Sequence, residues 1–132
     1  MVLCDTDIFI EAFKNNPEAT DLLRSVGFSN IALSAITQME LYFGALNKKE
    51  LSKIKNRLQR LEVVDLNKKI TGAAVNLIEK YAKSPSLHIP DALIASTAIC
   101  RDIELLTFNL KDFKFIEGIW LYPNNTPTKR LL

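Results

Sequence analysis

Short apolar runs of strand length alternate along most of this chain with longer segments whose apolar residues recur every three or four positions. That alternation restricts the chain to an α/β fold with a mostly parallel sheet. Residues 2–4 form the first run, which stops at Asp5. Ile8, Phe9, Ala12 and Phe13 follow at helical spacing until Asn15-Asn16-Pro17 breaks the pattern. Pro17 suits the first position of a second helix, which Gly27 closes. Residues 31–33 read as the second strand, and Ser34 as the N-cap of a helix over 35–46. A helix over 49–61, a third strand over 63–66 and a helix over 70–82 come next. Pro90 then opens a helix that is apolar almost all round, the signature of a buried one. Residues 105–107 give a fourth strand, 109–113 a turn or short helix, and 119–122 a fifth strand. The expectation is one α/β domain over residues 1–123, with a mostly parallel five-stranded sheet, helices on both faces and a tail over 124–132.

Composition narrows the partners. Net charge is only +2, so a nucleic acid would have to be met by a local basic patch and not by total charge. Cys4 and Cys100 lie in apolar runs, as small buried hydrophobes of a reducing cytosol would, and no Cys/His spacing suggests zinc. Met1 to Asp5 lacks the basic stretch of a signal peptide, and no apolar run approaches the roughly 20 residues of a membrane span. A soluble, cytoplasmic protein without a membrane partner is expected.

The acids fall where chemistry is expected. In open α/β sheets, sites form beyond the carboxyl ends of the strands. Asp5 ends strand one, and Asn109 and Asp112 follow strand four, so the three should share one edge. A cap on the following helix is the alternative role for Asp5. Glu40 has the small residues Thr37 and Gly44 one turn away on its helical face. A half-exposed surface glutamate, or the acid of a capping box with Thr37, is the alternative there. Asp91 opens the most hydrophobic helix of the chain. First-turn placement explains a charge at a helix start, but a carboxylate beside a core also needs a partner. Oxygen-rich positions without nearby Cys point to a hard cation, Mg²⁺ or Mn²⁺, which activates water and stabilises charge on a phosphodiester. His88, the only histidine, precedes Asp91 by three residues and is a less favoured general base.

Four segments resemble those of the PIN-domain family, in family order over about residues 1–122: Val2-Leu3-Cys4-Asp5-Thr6-Asp7-Ile8, then Ser34-x-x-Thr37-x-x-Glu40-Leu41-x-x-Gly44, then Ile89-Pro90-Asp91-Ala92-Leu93-Ile94-Ala95, and Leu106-Thr107-Phe108-Asn109-Leu110-Lys111-Asp112-Phe113. The third is the most specific. The Asn109-x-x-Asp112 pattern resembles that of VapC-type toxins of VapBC toxin–antitoxin pairs. The resemblance implies a metal-dependent endoribonuclease with catalytic, metal-binding carboxylates at Asp5, Glu40 and Asp91. Asn109, Asp112 or both through water would complete the site. Many PIN domains carry an acid where Asn109 stands, and Asp7 occupies a position where Asn or Ser is common. The resemblance further implies a homodimer and a tight protein inhibitor, a VapB-like antitoxin.

Two features bear on binding. Lys49, Lys53, Arg57 and Arg60 fall at helical spacing opposite the Leu51/Ile54/Leu58 stripe, as either a solvated face or an RNA-facing ridge. Phe9, Phe13, Tyr42, Phe43 and Leu46 give the early helices more apolar bulk than a small core needs, which anticipates an exposed groove. Other readings stay open at this point. Asp5-x-Asp7 resembles the nucleophile motif of haloacid-dehalogenase-like phosphohydrolases, although Ile8-Phe9 stands where small residues are usual. Asp65 at the end of strand three fits the acceptor of a receiver-type module. A catalytically degenerate PIN scaffold is the third.

Overall fold

The structure is a computed structural model that describes residues 1–85 and 87–123. The expected tail over 124–132 lies outside the described residues. Strands β1 (Val2–Cys4), β2 (Ile31–Ser34), β3 (Glu62–Val64) and β4 (Glu104–Leu106) form one sheet in the order β3-β2-β1-β4. Each neighbouring pair is parallel. Among the described residues seven helices connect and flank them: α1 (Thr6–Phe13), α2 (Pro17–Val26), α3 (Ala35–Phe43), α4 (Lys48–Leu58), α5 (Lys68–Tyr81), α6 (Ile89–Arg101) and α7 (Leu110–Phe113). A short 3₁₀ turn at Phe28–Asn30 leads into β2.

Both faces of the sheet are covered because successive strand residues point to opposite sides. Val2 and Cys4 of β1, Ile31 and Leu33 of β2 and Leu106 of β4 pack into one apolar cluster with Ile8 and Phe9 of α1 and Ile54 and Leu58 of α4. Leu3, Ala32 and Leu105, one residue out of phase, join Ile70 of α5 and Ile94, Ala95 and Ala98 of α6 in the other. The central strands are thus buried on both sides and read as unbroken apolar runs. Ala92, Ala95, Ser96 and Ala98 keep α6 slim enough to lie in the core, where all four are buried.

Three expectations need correction. Among the described residues the sheet has four strands and not five: residues 119–122 contribute one parallel bridge, Leu105 to Leu121. The Leu105 N–H donates to the Trp120 carbonyl at 2.7 Å and the Tyr122 N–H to the Leu105 carbonyl at 2.8 Å. Pro123 has no N–H with which to extend that ladder. Helix α3 ends at Phe43, three residues early. Gly44 is a poor helix former, and Asn47 caps the next helix by accepting from the Glu50 N–H at 2.9 Å. Cys4 is buried as expected, but Cys100 is partly exposed. Among the described residues no helix is long and apolar enough to cross a membrane.

Candidate active site

The parallel sheet sends β1 and β4 to the same edge, where their loops meet. The ladder continues one residue past β1: the Asp5 N–H donates to the Leu106 carbonyl at 2.9 Å. Asp5 therefore stands beside Thr107, and is itself only 4% exposed. Its Oδ2 accepts from the Thr107 hydroxyl at 2.8 Å, and its Oδ1 from the Thr6 N–H at 2.7 Å. The second bond is the helix cap that sequence reasoning offered as an alternative, so the residue caps α1 and faces the edge at once. The Thr107 hydroxyl also accepts from the Asn109 N–H at 3.0 Å, which fixes the start of the loop after β4.

Asp7, in the first turn of α1, ties the same loop down. Its Oδ2 accepts from the Phe108 N–H at 3.1 Å, whereas its Oδ1 is buried with no hydrogen bond among the described residues. Glu40 reaches the edge from α3. The Thr6 hydroxyl donates to Glu40 Oε1 at 2.7 Å and lies 3.0 Å from the buried Thr37 hydroxyl. Glu40 is half-buried, and no capping box with Thr37 forms: Ser34 caps α3 by accepting from the Ile36 N–H at 3.2 Å. Asp91 is the third residue of α6. Its carboxylate accepts from the backbone N–H of His88, the N-cap, which is half of a capping box.

Electrostatics show which of these groups are close. Burial first, and then the charge of Asp7, push the Asp5 carboxyl up to about 7. Glu40 adds to the rise, against hydrogen bonds from Thr107 and Thr6. Burial also raises Asp7, opposed by the Phe108 N–H. Asp91 is raised to about 6, by burial first and then by Asp5 and Asp112, with His88 acting in the opposite direction. Asp5, Asp7, Glu40, Asp91 and Asp112 thus share one field, although up to about a hundred residues of chain separate them. Asn109 is exposed, caps α7 in position only and makes no side-chain cap bond. His88 is exposed at the mouth of α6.

The donor set fits a hard cation. It is all oxygen, it holds carboxylates that resist ionisation when unneutralised, and it leaves one buried carboxylate oxygen without a partner. Among the described residues no three His, Cys, Asp or Glu side chains close around a single point. Sequence reasoning missed Thr6 and Thr107, the hydroxyls that orient Glu40 and Asp5. The signal for them was a Thr directly after each of two edge positions, which is too common to stand out. Asp65, the acceptor of the receiver-type reading, is exposed at the end of edge strand β3, two strands from β1.

Comparisons with known proteins agree with this geometry. The sequence profile of the PIN domain matches residues 2–117. The chain is 31% identical to the tRNA(fMet)-specific endonuclease VapC of Salmonella typhimurium, over 89% of this chain and 92% of that protein. It is 32% identical to ribonuclease VapC2 of Rickettsia felis, over 90% and 94%. The crystal structure of Rickettsia felis VapBC2 bound to a DNA fragment from its promoter contains a chain that superposes with a TM-score of 0.80, at 31% identity, covering 92% of this chain and 97% of that one.

Proposed function

Because the chain belongs to the PIN-domain family, we propose that it is a metal-dependent endoribonuclease, the toxin of a toxin–antitoxin pair that cleaves RNA phosphodiesters. The observation that carries this reading is the buried Asp5 carboxylate, pushed up to about 7 at a strand end where Asp7 and Glu40 add their charge, and whose own charge raises Asp91. A fold does not hold such a group for stability, since keeping a carboxylate charged tenfold against its preference costs about 1.4 kcal/mol. A divalent cation relieves that cost. Named ribonucleases among the relatives give the same direction. The phosphohydrolase reading, in which Asp5 itself attacks, has no such support among the relatives, which are named ribonucleases and endonucleases.

In this reading Asp5 and Asp91 hold Mg²⁺ or Mn²⁺, with Glu40 and Asp112 reaching it directly or through water. When bound, such a cation supplies a more acidic water and neutralises charge on the scissile phosphate. Thr107 and Thr6 keep the Asp5 and Glu40 carboxylates aimed, so little is reorganised when RNA arrives. Asp7 holds the loop after β4 through the Phe108 N–H. Asp112 is preferred to Asn109 as the fourth residue, because its charge is felt at Asp91.

The partners follow. An apolar groove of about 460 Å³ between α1, α2 and α4, floored by Phe9, Phe13, Leu23 and Phe28 and edged by Arg24 and Arg57, suits an apolar segment of an antitoxin. Phe43 and Leu46, 93% and 84% exposed, are apolar surface for a second copy of the chain in a homodimer. An RNA substrate and two free cysteines go with the cytoplasm. The test is cleavage of RNA by purified protein with Mg²⁺ or Mn²⁺. EDTA should stop it, and Asp91→Asn should lose it with the fold intact. Full activity in the Asp91→Asn protein would overturn the reading.

A further inference from the structure

Beside the acidic edge, a second cleft of about 580 Å³ runs between α1, the end of α3 and α4. Glu40 is part of its lining, so it is continuous with the candidate active site. Its other charged groups are mostly cations: Lys14 from the end of α1, and Lys53 and Arg57 one turn apart on α4. Lys14 makes a loose, exposed pair with Glu11 at 3.7 Å. Lys53 and Arg57 belong to no ion pair among the described residues. Glu50, the remaining acid of the cleft, accepts from the Leu46 N–H at 3.3 Å. The Arg57 guanidinium lies 5.0 Å above the Phe13 ring, in a cation–π contact that holds it over the apolar floor.

A polyanion cannot approach a cluster of carboxylates unaided. A cleft that opens from Glu40, carries two cations outside any ion pair among the described residues at a spacing of one helical turn, and has an apolar floor of Ile10, Leu41 and Ile54 answers that need for a single strand. The phosphates meet the cations and the bases meet the apolar surface. The neighbouring groove floored by Phe9 and Phe28 is the more apolar of the two and suits a protein segment better. We propose that the Lys14/Lys53/Arg57 cleft seats the single-stranded RNA that flanks the cleaved bond, with Lys53 and Arg57 as its phosphate-binding residues. This rests on the ribonuclease reading. It also divides the basic ridge expected from the sequence: Lys53 and Arg57 line the cleft, whereas Lys49 and Arg60 do not.

The division supplies its own controls. A fluorescein-labelled 12-nucleotide RNA is titrated with full-length protein in EDTA by anisotropy, at several salt concentrations. Lys53→Ala and Arg57→Ala should each weaken binding about 3- to 10-fold and lower the salt slope by about 0.7, the loss of one phosphate contact. Lys49→Ala and Arg60→Ala should stay within about twofold. In Mg²⁺, Lys53→Ala should raise KM with kcat nearly unchanged. Equal weakening by all four variants, or none by Lys53→Ala and Arg57→Ala, overturns the cleft assignment. So does loss of a protein partner with RNA binding intact. Cleavage by the unmodified chain, run alongside, separates the two readings: if it persists while the cleft variants bind normally, only the cleft fails. If no metal-dependent cleavage occurs, the ribonuclease reading fails whatever the binding shows.

Discussion

Replacing Asp91 by Asn should stabilise the metal-free protein while removing its response to metal. The Asp91 carboxyl is raised from 3.8 to about 6, chiefly by burial and then by Asp5 and Asp112. A rise of that size corresponds to about 3 kcal/mol at most. The side chain is half-buried, so solvent screens much of this, and about 1 kcal/mol is expected. The folded value is raised, so the cost of the charge is absent below pH 4, grows as pH rises through 6 and is complete above. The amide still accepts from the His88 N–H and keeps the helix start in place. In EDTA at pH 7.5, urea unfolding should therefore show Asp91→Asn about 1 kcal/mol more stable than the parent, or about 3 °C higher in Tm. Near pH 4.5 the difference should shrink towards zero. Adding Mg²⁺ at ten times its dissociation constant should stabilise the parent by about 1.4 kcal/mol and the variant hardly at all. A variant less stable than the parent in EDTA at pH 7.5, or equally responsive to Mg²⁺, would refute the idea that Asp91 is held for a cation.

Other expected outcomes follow from the hydroxyls and the loop. Thr6→Val removes the donor to Glu40 and should cut cleavage about tenfold, for about 1 kcal/mol of stability measured by urea unfolding. Thr107→Val removes a bond that holds the Asp5 carboxyl down. Its titration in EDTA, followed by carboxyl NMR, should therefore move upward from about 7. Asp112→Ala should lower cleavage by about tenfold or more and Asn109→Ala only a few-fold, compared as kcat/KM under one metal concentration.

The parts of the fold written in local pattern were legible. Strand residues such as Leu3 and Ala32 and the all-round apolar α6 follow from periodicity alone, and the cap at Ser34 and the helix start at Pro17 from residue type. The fifth strand was not, because four apolar residues before a proline look the same whether they make a ladder or one bridge. The end of α3 depended on competition between two helices, with Asn47 claiming the chain for α4. Asp5, Glu40 and Asp91 could be nominated because each is a charge set against apolar neighbours, and Asp112 because it follows the end of strand four and matches the family's fourth segment. What could not be read was the wiring between them. Thr6 to Glu40 and Thr107 to Asp5 span 34 and 102 positions, and a threonine gives no sign of which distant oxygen it serves. The sorting of the α4 cations was equally hidden, since a solvated face and a cleft wall have the same helical spacing.

The pairing of the first strand with the last has a consequence for when the molecule becomes active. The central strand waits for β4, and Asp5 waits for Thr107, which lies 102 residues further along. A ribosome that has emitted the chain up to the end of α6 has already made Asp5, Glu40 and Asp91, but the bonds from Asp5 to Leu106 and Thr107 are still missing. Contacts of such long sequence separation form late and slowly. Activity then requires the chain to have passed Thr107, and fragments that end before β4 should carry the acids without the chemistry. For a nuclease surrounded by RNA while it is being made, the order of strands is itself a timer.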